Sequence, residues 1–232
     1  MKTIFTTLLL FVFSLSSVYA QNDDYSKLTL KISGLRVVAD ENDNIEGKDL
    51  TISNDYGFEI GLNYFFNKNI AVEFSLASSK HKAVLQYNGI EYIGGYYDIG
   101  KLTMVPINLN FQYYFYFNKF KPYLGAGINY SSFYVKDKEL IGGVYGGKFD
   151  DAIGFILQGG INYDINKKWF VNLDLKKLFL TTDMTTYNGW CGTAAKGMAM
   201  EPCPDYNIEE VIEEVDINPL SLGLGIGYNF GW

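Results

Sequence analysis

The segment from Pro219 to Trp232 constrains the fold more than any other stretch of the chain. It reads Pro-Leu-Ser-Leu-Gly-Leu-Gly-Ile-Gly-Tyr-Asn-Phe-Gly-Trp. Every even position from Leu220 to Trp232 is apolar or aromatic, and every odd position from Ser221 to Gly231 is small or polar. A strand turns successive side chains to opposite faces, so this segment has one greasy face and one nearly bare face. Soluble sandwich strands alternate too. Here Tyr228, Phe230 and Trp232 crowd one end of the apolar face. An aromatic cluster bordering an apolar band is what a membrane interface selects. The segment is expected to be the closing strand of an outer-membrane β-barrel.

The other end of the chain fits export. Residues 1–20 read as a secretory signal: Lys2 supplies the positive start, Ile4 to Leu15 the apolar core, and Val18-Tyr19-Ala20 the small-residue cleavage site. A membrane helix is the weaker reading, because the apolar run is short and Gln21-Asn22-Asp23-Asp24 follows at once. No later apolar run is long enough to span as a helix, so a membrane role has to use strands. Residues 21–232 are then one barrel domain. Aromatics make up 17% of the chain, which suits a barrel with an aromatic exterior. A net charge of −7 argues against nucleic acid, whose phosphates need a basic face.

Alternation recurs seven more times. Strands are expected at Lys27–Val37, Gly57–Phe65, Ile70–Ser79, Leu102–Phe115, Pro122–Tyr134, Ala152–Ile165 and Trp169–Thr181. Asn67-Lys68-Asn69, Phe117 to Lys121 and Asn166-Lys167-Lys168 make short turns, whose Asn residues bond locally to backbone. Between them lie long polar stretches, the longest from Thr182 to Asn218. Pro106 sits inside a strand although it cannot donate to the ladder, so either a bulge or a loosened ladder is expected there. The result is an all-β fold, an eight-stranded antiparallel transmembrane β-barrel. Short turns alternate strictly with four long loops, the asymmetry of outer-membrane barrels. The aromatics Tyr64, Phe65, Tyr113, Phe115, Tyr163, Trp169, Tyr228, Phe230 and Trp232 are expected to form a girdle at the turn end. A soluble lipocalin-like barrel would bury its apolar face and expose charge. Here the apolar face carries no charges, while Glu59, Glu73, Asp174 and Lys176 share the other.

Several segments resemble the OmpW (outer membrane protein W) family of small barrels. These are Asn69 to Phe74, Val105-Pro106 through Gln112 to Phe115, and Phe120-Lys121-Pro122-Tyr123-Leu124-Gly125-Ala126-Gly127-Ile128-Asn129-Tyr130. Gly160 to Asn166 with Trp169 to Asn172, and Asp216-Ile217-Asn218-Pro219 leading to Gly227-Tyr228-Asn229-Phe230, complete the set. The resemblance implies a narrow channel in the outer membrane of a Gram-negative bacterium that admits small, mostly hydrophobic molecules. It implies no enzyme activity and no cofactor. Outer-membrane lipid and lipopolysaccharide would surround the barrel, and the strand ending at Trp232 resembles the signal shown to the outer-membrane assembly machinery. Family members carry bulky apolar residues into the lumen near mid-barrel, whereas Ser75 and Lys176 hold those positions here. The Cys-bearing part of the last loop looks like an insertion.

Strand parity divides the lumen. An apolar outer half should be lined by Met104, Pro106, Ile156 and Leu178. A polar inner half should hold Lys31, Glu59, Glu73, Ser75, Asp174 and Lys176. By depth, Lys176 pairs with Glu59 and Lys31 with Glu73. An eight-stranded barrel is just wide enough for its own side chains to fill it, or to hold one small ligand. Two readings stay open. In one, small apolar solutes enter past the outer ring and leave axially or sideways into the bilayer. In the other, the charges plug a closed structural barrel whose loops bind an external partner. The single histidine, His81, lies between Lys80 and Lys82 with no acid–base partner nearby in sequence, and reads as a solvated rim residue. His81 and the two cysteines lack metal-ligand spacing. Cys191 and Cys203 are expected to form a disulfide, worth about 2–4 kcal/mol. Residues 208–215 are either a short loop helix or an upward extension of the last strand. Their carboxylates either bind divalent cations shared with lipopolysaccharide or form a solvated face.

Overall fold

The computed structural model describes residues 25–39, 44–45, 48–87, 96–136, 144–188 and 209–230. The expected secretory signal, both cysteines and Trp232 lie outside these residues. In chain order the strands are β1 (Leu28–Val38), β2 (Asn44–Ile45), β3 (Lys48–Ile52), β4 (Asp55–Phe65), β5 (Ile70–Tyr87), β6 (Tyr96–Tyr114) and β7 (Phe120–Lys136). They continue with β8 (Val144–Phe149), β9 (Ala152–Asp164), β10 (Trp169–Phe179), β11 (Thr181–Asn188), β12 (Glu209–Asp216) and β13 (Leu220–Phe230). Eight of them, β1, β4, β5, β6, β7, β9, β10 and β13, pair antiparallel around a closed ring. Closure leaves no free edge and satisfies the backbone inside a bilayer, where water cannot.

Alternation decides which face goes where. Ile32, Ile60, Leu76, Leu109, Ile128, Leu157, Leu173 and Leu224 all point outward and are exposed. Only lipid can cover so continuous an apolar belt. At the turn end the belt is bordered by stacked exterior rings. Tyr64 meets Phe66, Tyr113 meets Phe115, Phe120 meets Tyr163, and Tyr228 lies between Trp169 and Phe230, with centroids 4.9–5.2 Å apart. Phe65 departs from the expected girdle. Its position is odd on β4, the inward parity, and it is buried in the lumen against Tyr114.

The short turns rest on asparagine. Asn67 Oδ1 accepts from the N–H groups of Asn69 and Ile70, at 2.9 and 3.0 Å. Asn166 Oδ1 repeats this with Lys168 and Trp169, at 2.8 and 3.0 Å. The third turn closes with reciprocal bonds between Phe117 and Phe120, and Asn118 adopts φ 56°. Asparagine tolerates that left-handed region better than most residues.

At the other end the strands outrun the expected limits. β5 continues to Tyr87 instead of stopping at Ser79, and β6 starts at Tyr96 rather than Leu102. The alternation of apolar residues ends where the wall leaves the lipid band, but the hydrogen-bond ladder does not. β2 and β3 add to the edge of β5, and β8, β11 and β12 form a three-stranded sheet. Two strands therefore stand inside the region expected to be one long loop, and residues 209–216 are strand, not helix. The only bulge described between β5 and β6 is at Ala83/Val84, where Gly100 takes φ 111°.

Pro106 carries no bulge. The β5–β6 ladder runs up to Leu76↔Ile107 and resumes in the same register at Ser79↔Met104, leaving Ala77 and Ser78 without ladder partners opposite Pro106 and Val105. The cause is readable from the strand's phase. Tyr114 N–H donates to Asn69 O on the β5 side, and Phe115 N–H to Pro122 O on the β7 side. Even positions of β6 thus address β5, and at Pro106 there is no N–H to give.

Candidate functional site

The lumen is stacked in three layers. At the turn end Phe65, Tyr114, Tyr123 and Phe170 are buried across the barrel. Two glycines make room for this floor. A Cβ on Gly227 would fall 2.0 Å from Phe170 Cζ, and one on Gly160 would fall 2.4 Å from the Tyr123 hydroxyl. Beneath the floor a vestibule open to solvent is lined by Tyr25, Thr29, Tyr116, Asn162 and Asn229, with Lys121 and Asp164 paired at 2.6 Å. Partial burial and the nearby Asp164 charge push the Tyr116 phenol up to about 12.

Above the floor sits the charged layer. Lys176 Nζ lies 2.6 Å from both Glu59 oxygens, 3.1 Å from Glu73 and 3.5 Å from Asp174. Lys31 forms an ion pair with Glu73 and lies 3.6 Å from Asp174. All five side chains are at most 4% exposed. Ser75 Oγ donates to Glu59 at 3.1 Å. All six residues expected in the polar half meet here, because β1, β4, β5 and β10 bring their inward positions to one depth. Three carboxylates face two ammonium groups, so the layer keeps one formal negative charge. Buried charges persist only when paired and hydrogen-bonded.

Sequence reasoning missed the amides that complete the layer. Gln158 Nε2 donates to Asp174 at 2.9 Å and to Glu73 at 3.0 Å, and Gln112 donates to Gln158 at 2.9 Å. Asn63 and the Tyr114 hydroxyl both donate to Gln112 Oε1. Along the wall Asn108 donates to Ser75, and Asn129 to Asn108, each on the adjacent strand. The signal was inward parity on β6, β7 and β9, whose lumen-facing positions at this depth carry no charge to draw notice.

The third layer is apolar. Met104, Ile156 and Leu178 are buried there, joined by Leu102, Phe133, Leu35 and Val37. Pro106, expected among them, is only half-buried, at the ladder gap. Above, Leu50 and Ile52 of β3, Met184 of β11, Val215 of β12 and the flanking Leu180 and Ile217 cover this layer. His81 is not a solvated rim residue. It is buried, with Nε2 2.8 Å from Ser79 Oγ and Nδ1 2.7 Å from Ser53 O. A backbone carbonyl, not a carboxylate, stands behind the ring, so it pins β5 to the segment between β3 and β4.

The three carboxylates of the charged layer lie within 4.8 Å of one another. Lys176 and Lys31 occupy the space between them, so the described residues build an ion-pair cluster there.

A family model, the OmpW family, matches residues 26–230. The chain belongs to the OmpW family. Relatives of this OmpW-family barrel include an uncharacterized outer-membrane protein, y4mB, of Sinorhizobium fredii. It is 32% identical over 206 residues, covering 87% of this chain and 79% of that one. The dibenzothiophene metabolism operon protein PahQ of Pseudomonas aeruginosa is 29% identical over 134 residues, covering 57% and 53%. The crystal structure of OprG from Pseudomonas aeruginosa has the same fold, with a TM-score of 0.67 and 20% identity over 90% of this chain and 98% of that one. The protein is thus an outer-membrane barrel.

Proposed function

We propose that the barrel passes small apolar molecules from the outer surface into the membrane, through its wall and not along its axis. The observation that carries this is the ladder gap at Pro106. It opens beside Ala77, which neighbours Glu59 across the β4–β5 ladder. The gap therefore lies where the apolar upper layer meets the charged layer. A solute entering from above would meet three carboxylates and two ammonium groups ahead, and at its side a pair of strands short of one hydrogen bond. Breaking a buried ion pair is costly, while parting strands that lack one of their ladder hydrogen bonds at that level costs less. Entry requires the cap formed by β3, β11 and β12 to move aside. The relative named for a dibenzothiophene metabolism operon supports the solute class, since dibenzothiophene is a compact apolar tricycle. Export by a cleaved signal over residues 1–20, and four loops facing the cell exterior, complete this reading.

A second reading rests on the packing. Floor, ion-pair layer and apolar core fill the lumen, as a closed scaffold whose loops bind an external partner would require.

Flux into proteoliposomes of the refolded protein separates the two. The probes are matched small apolar, neutral polar and charged molecules, read by transfer to an enclosed acceptor against empty liposomes and unfolded chain. Faster transfer of apolar probes alone is the expected result. Flux of polar or charged probes would mean an axial pore, and no difference for any probe would establish the scaffold reading.

A further inference from the structure

We infer that the outer wall of β5, β6 and β7 carries a binding site for the phosphates of the outer leaflet's glycolipid, lipopolysaccharide. The site is built by Lys80, Lys82, Lys101 and Lys136. Register sets these residues side by side. Lys82 pairs with Lys101, and Lys101 with Lys136, in one unbroken cross-strand row. Lys80 occupies the row below, with Thr103 and Tyr134. All four lysines share the outward parity of the apolar belt and are exposed. Arg36, stacked 4.7 Å over Tyr56 on the neighbouring strands, extends the patch.

Height places the patch at a headgroup. Ile70 stands opposite Tyr113 in the girdle row at the turn end. Lys80 lies ten residues further up β5. At about 3.3 Å per residue and a tilt of about 40°, that is about 25 Å, the height of the apolar band of such barrels. With the short turns on the periplasmic side, the lysines emerge where the acyl chains of the outer leaflet end.

Charge selects the partner. The chain has a net charge of −7, so a cluster of lysines is no reflection of its composition. From the girdle up to Lys82, Lys101 and Lys136 this face of the three strands carries no Asp or Glu. Among the described residues, the next carboxylate around the wall, Asp151, lies beyond β7 and accepts from the Tyr130 hydroxyl at 2.6 Å. Beyond it the exposed rim residues Asp183, Glu210, Glu214 and Asp216 make the opposite arc acidic. Like charges directly opposite on adjacent strands repel. A row of three lysines at a lipid boundary is stabilised by an anion seated across it, and basic clusters at that level recognise anionic headgroups. Tyr134, exposed on β7 in the same row as Lys80, supplies the amphipathic ring favoured at such an interface.

The test is native mass spectrometry of the refolded full chain titrated with bisphosphorylated lipid A, phosphate-free lipid A and phosphatidylglycerol. The wild type should bind bisphosphorylated lipid A about tenfold more tightly than either of the others. The variant K80Q/K82Q/K101Q/K136Q should lose that preference, while arginine at all four positions should keep it. K119Q/K167Q/K168Q, at the turn end, should leave it unchanged. Equal affinity of the glutamine variant would overturn the assignment, as would equally tight binding of phosphatidylglycerol or of the phosphate-free lipid. Should the quadruple variant fail to refold, judged by gel mobility of the unheated protein, K82Q/K101Q must weaken lipid A binding by itself. An unchanged affinity there would also overturn the proposal.

Discussion

Lys176 is the residue on which the charged layer turns. It alone touches all three carboxylates, and its ammonium is the near partner of Glu59. Lys176→Met would strand Glu59 in a lumen where it is 3% exposed. Removing one partner of a buried pair costs about 3–5 kcal/mol, most of it the penalty on the charge left behind. Replacing Glu59 by Gln at the same time removes that penalty, and should recover most of the loss. The urea midpoint of the barrel refolded in lipid vesicles is the measurement, with an unchanged slope showing that the unfolding reaction is the same. A single variant as stable as wild type would mean that Glu59 finds another cation or takes up a proton. Strand parity and depth, both available in the sequence, bring Lys176 to Glu59 and Lys31 to Glu73. Neither reveals that Glu73 is shared by the two lysines, because sharing depends on how far each side chain reaches across the barrel.

At the scale of the element, the β5–β6 seam is where sequence and structure inform each other most. The proline was legible as a break, but which neighbour it failed to bond was not. That depends on the phase of the hydrogen bonds, fixed by Tyr114 to Asn69 and Phe115 to Pro122 at the far end of the strand. Pro106→Ala supplies the missing N–H opposite Ala77. One net hydrogen bond is worth about 1 kcal/mol, so the opened seam should become about fivefold less populated. Transfer of apolar probes through the wall should fall by about that factor, with ion conductance unchanged. Unaltered transfer would place the exit elsewhere. The upper extensions of β5 and β6 were hidden for a related reason. Once a strand leaves the lipid band its outward face turns polar, as at Lys80 and Lys82, and the pattern looks like a loop. His81 was misread for the same cause, since its partner Ser53 O arrives on a separate segment before β4.

For the whole molecule, the layers make two exits that can be opened or closed independently. Lys176 touches Glu59, Glu73, Ser75 and Asp174, while Pro106 faces Ala77 and Ser131, so the two positions share no partner. Changes at such sites add more nearly than changes within one network. Lys176→Gln leaves three carboxylates facing Lys31 alone. The layer then gains net negative charge and loses the ammonium that ties β10 to β4 and β5. Planar-bilayer recordings should show a new axial conductance that prefers cations, read from the reversal potential in a salt gradient. Combining it with Pro106→Ala should exchange one route for the other in a single chain, keeping the cation conductance and lowering transfer of apolar probes. If Lys176→Gln stays closed, the seal lies lower, at the Tyr114, Tyr123 and Phe170 floor, whose rings are held in the space left by Gly160 and Gly227. A double variant that transfers apolar probes as well as wild type would instead show that they leave along the axis. The ladder gap at Pro106 would then be a flaw in the wall with no part in transport.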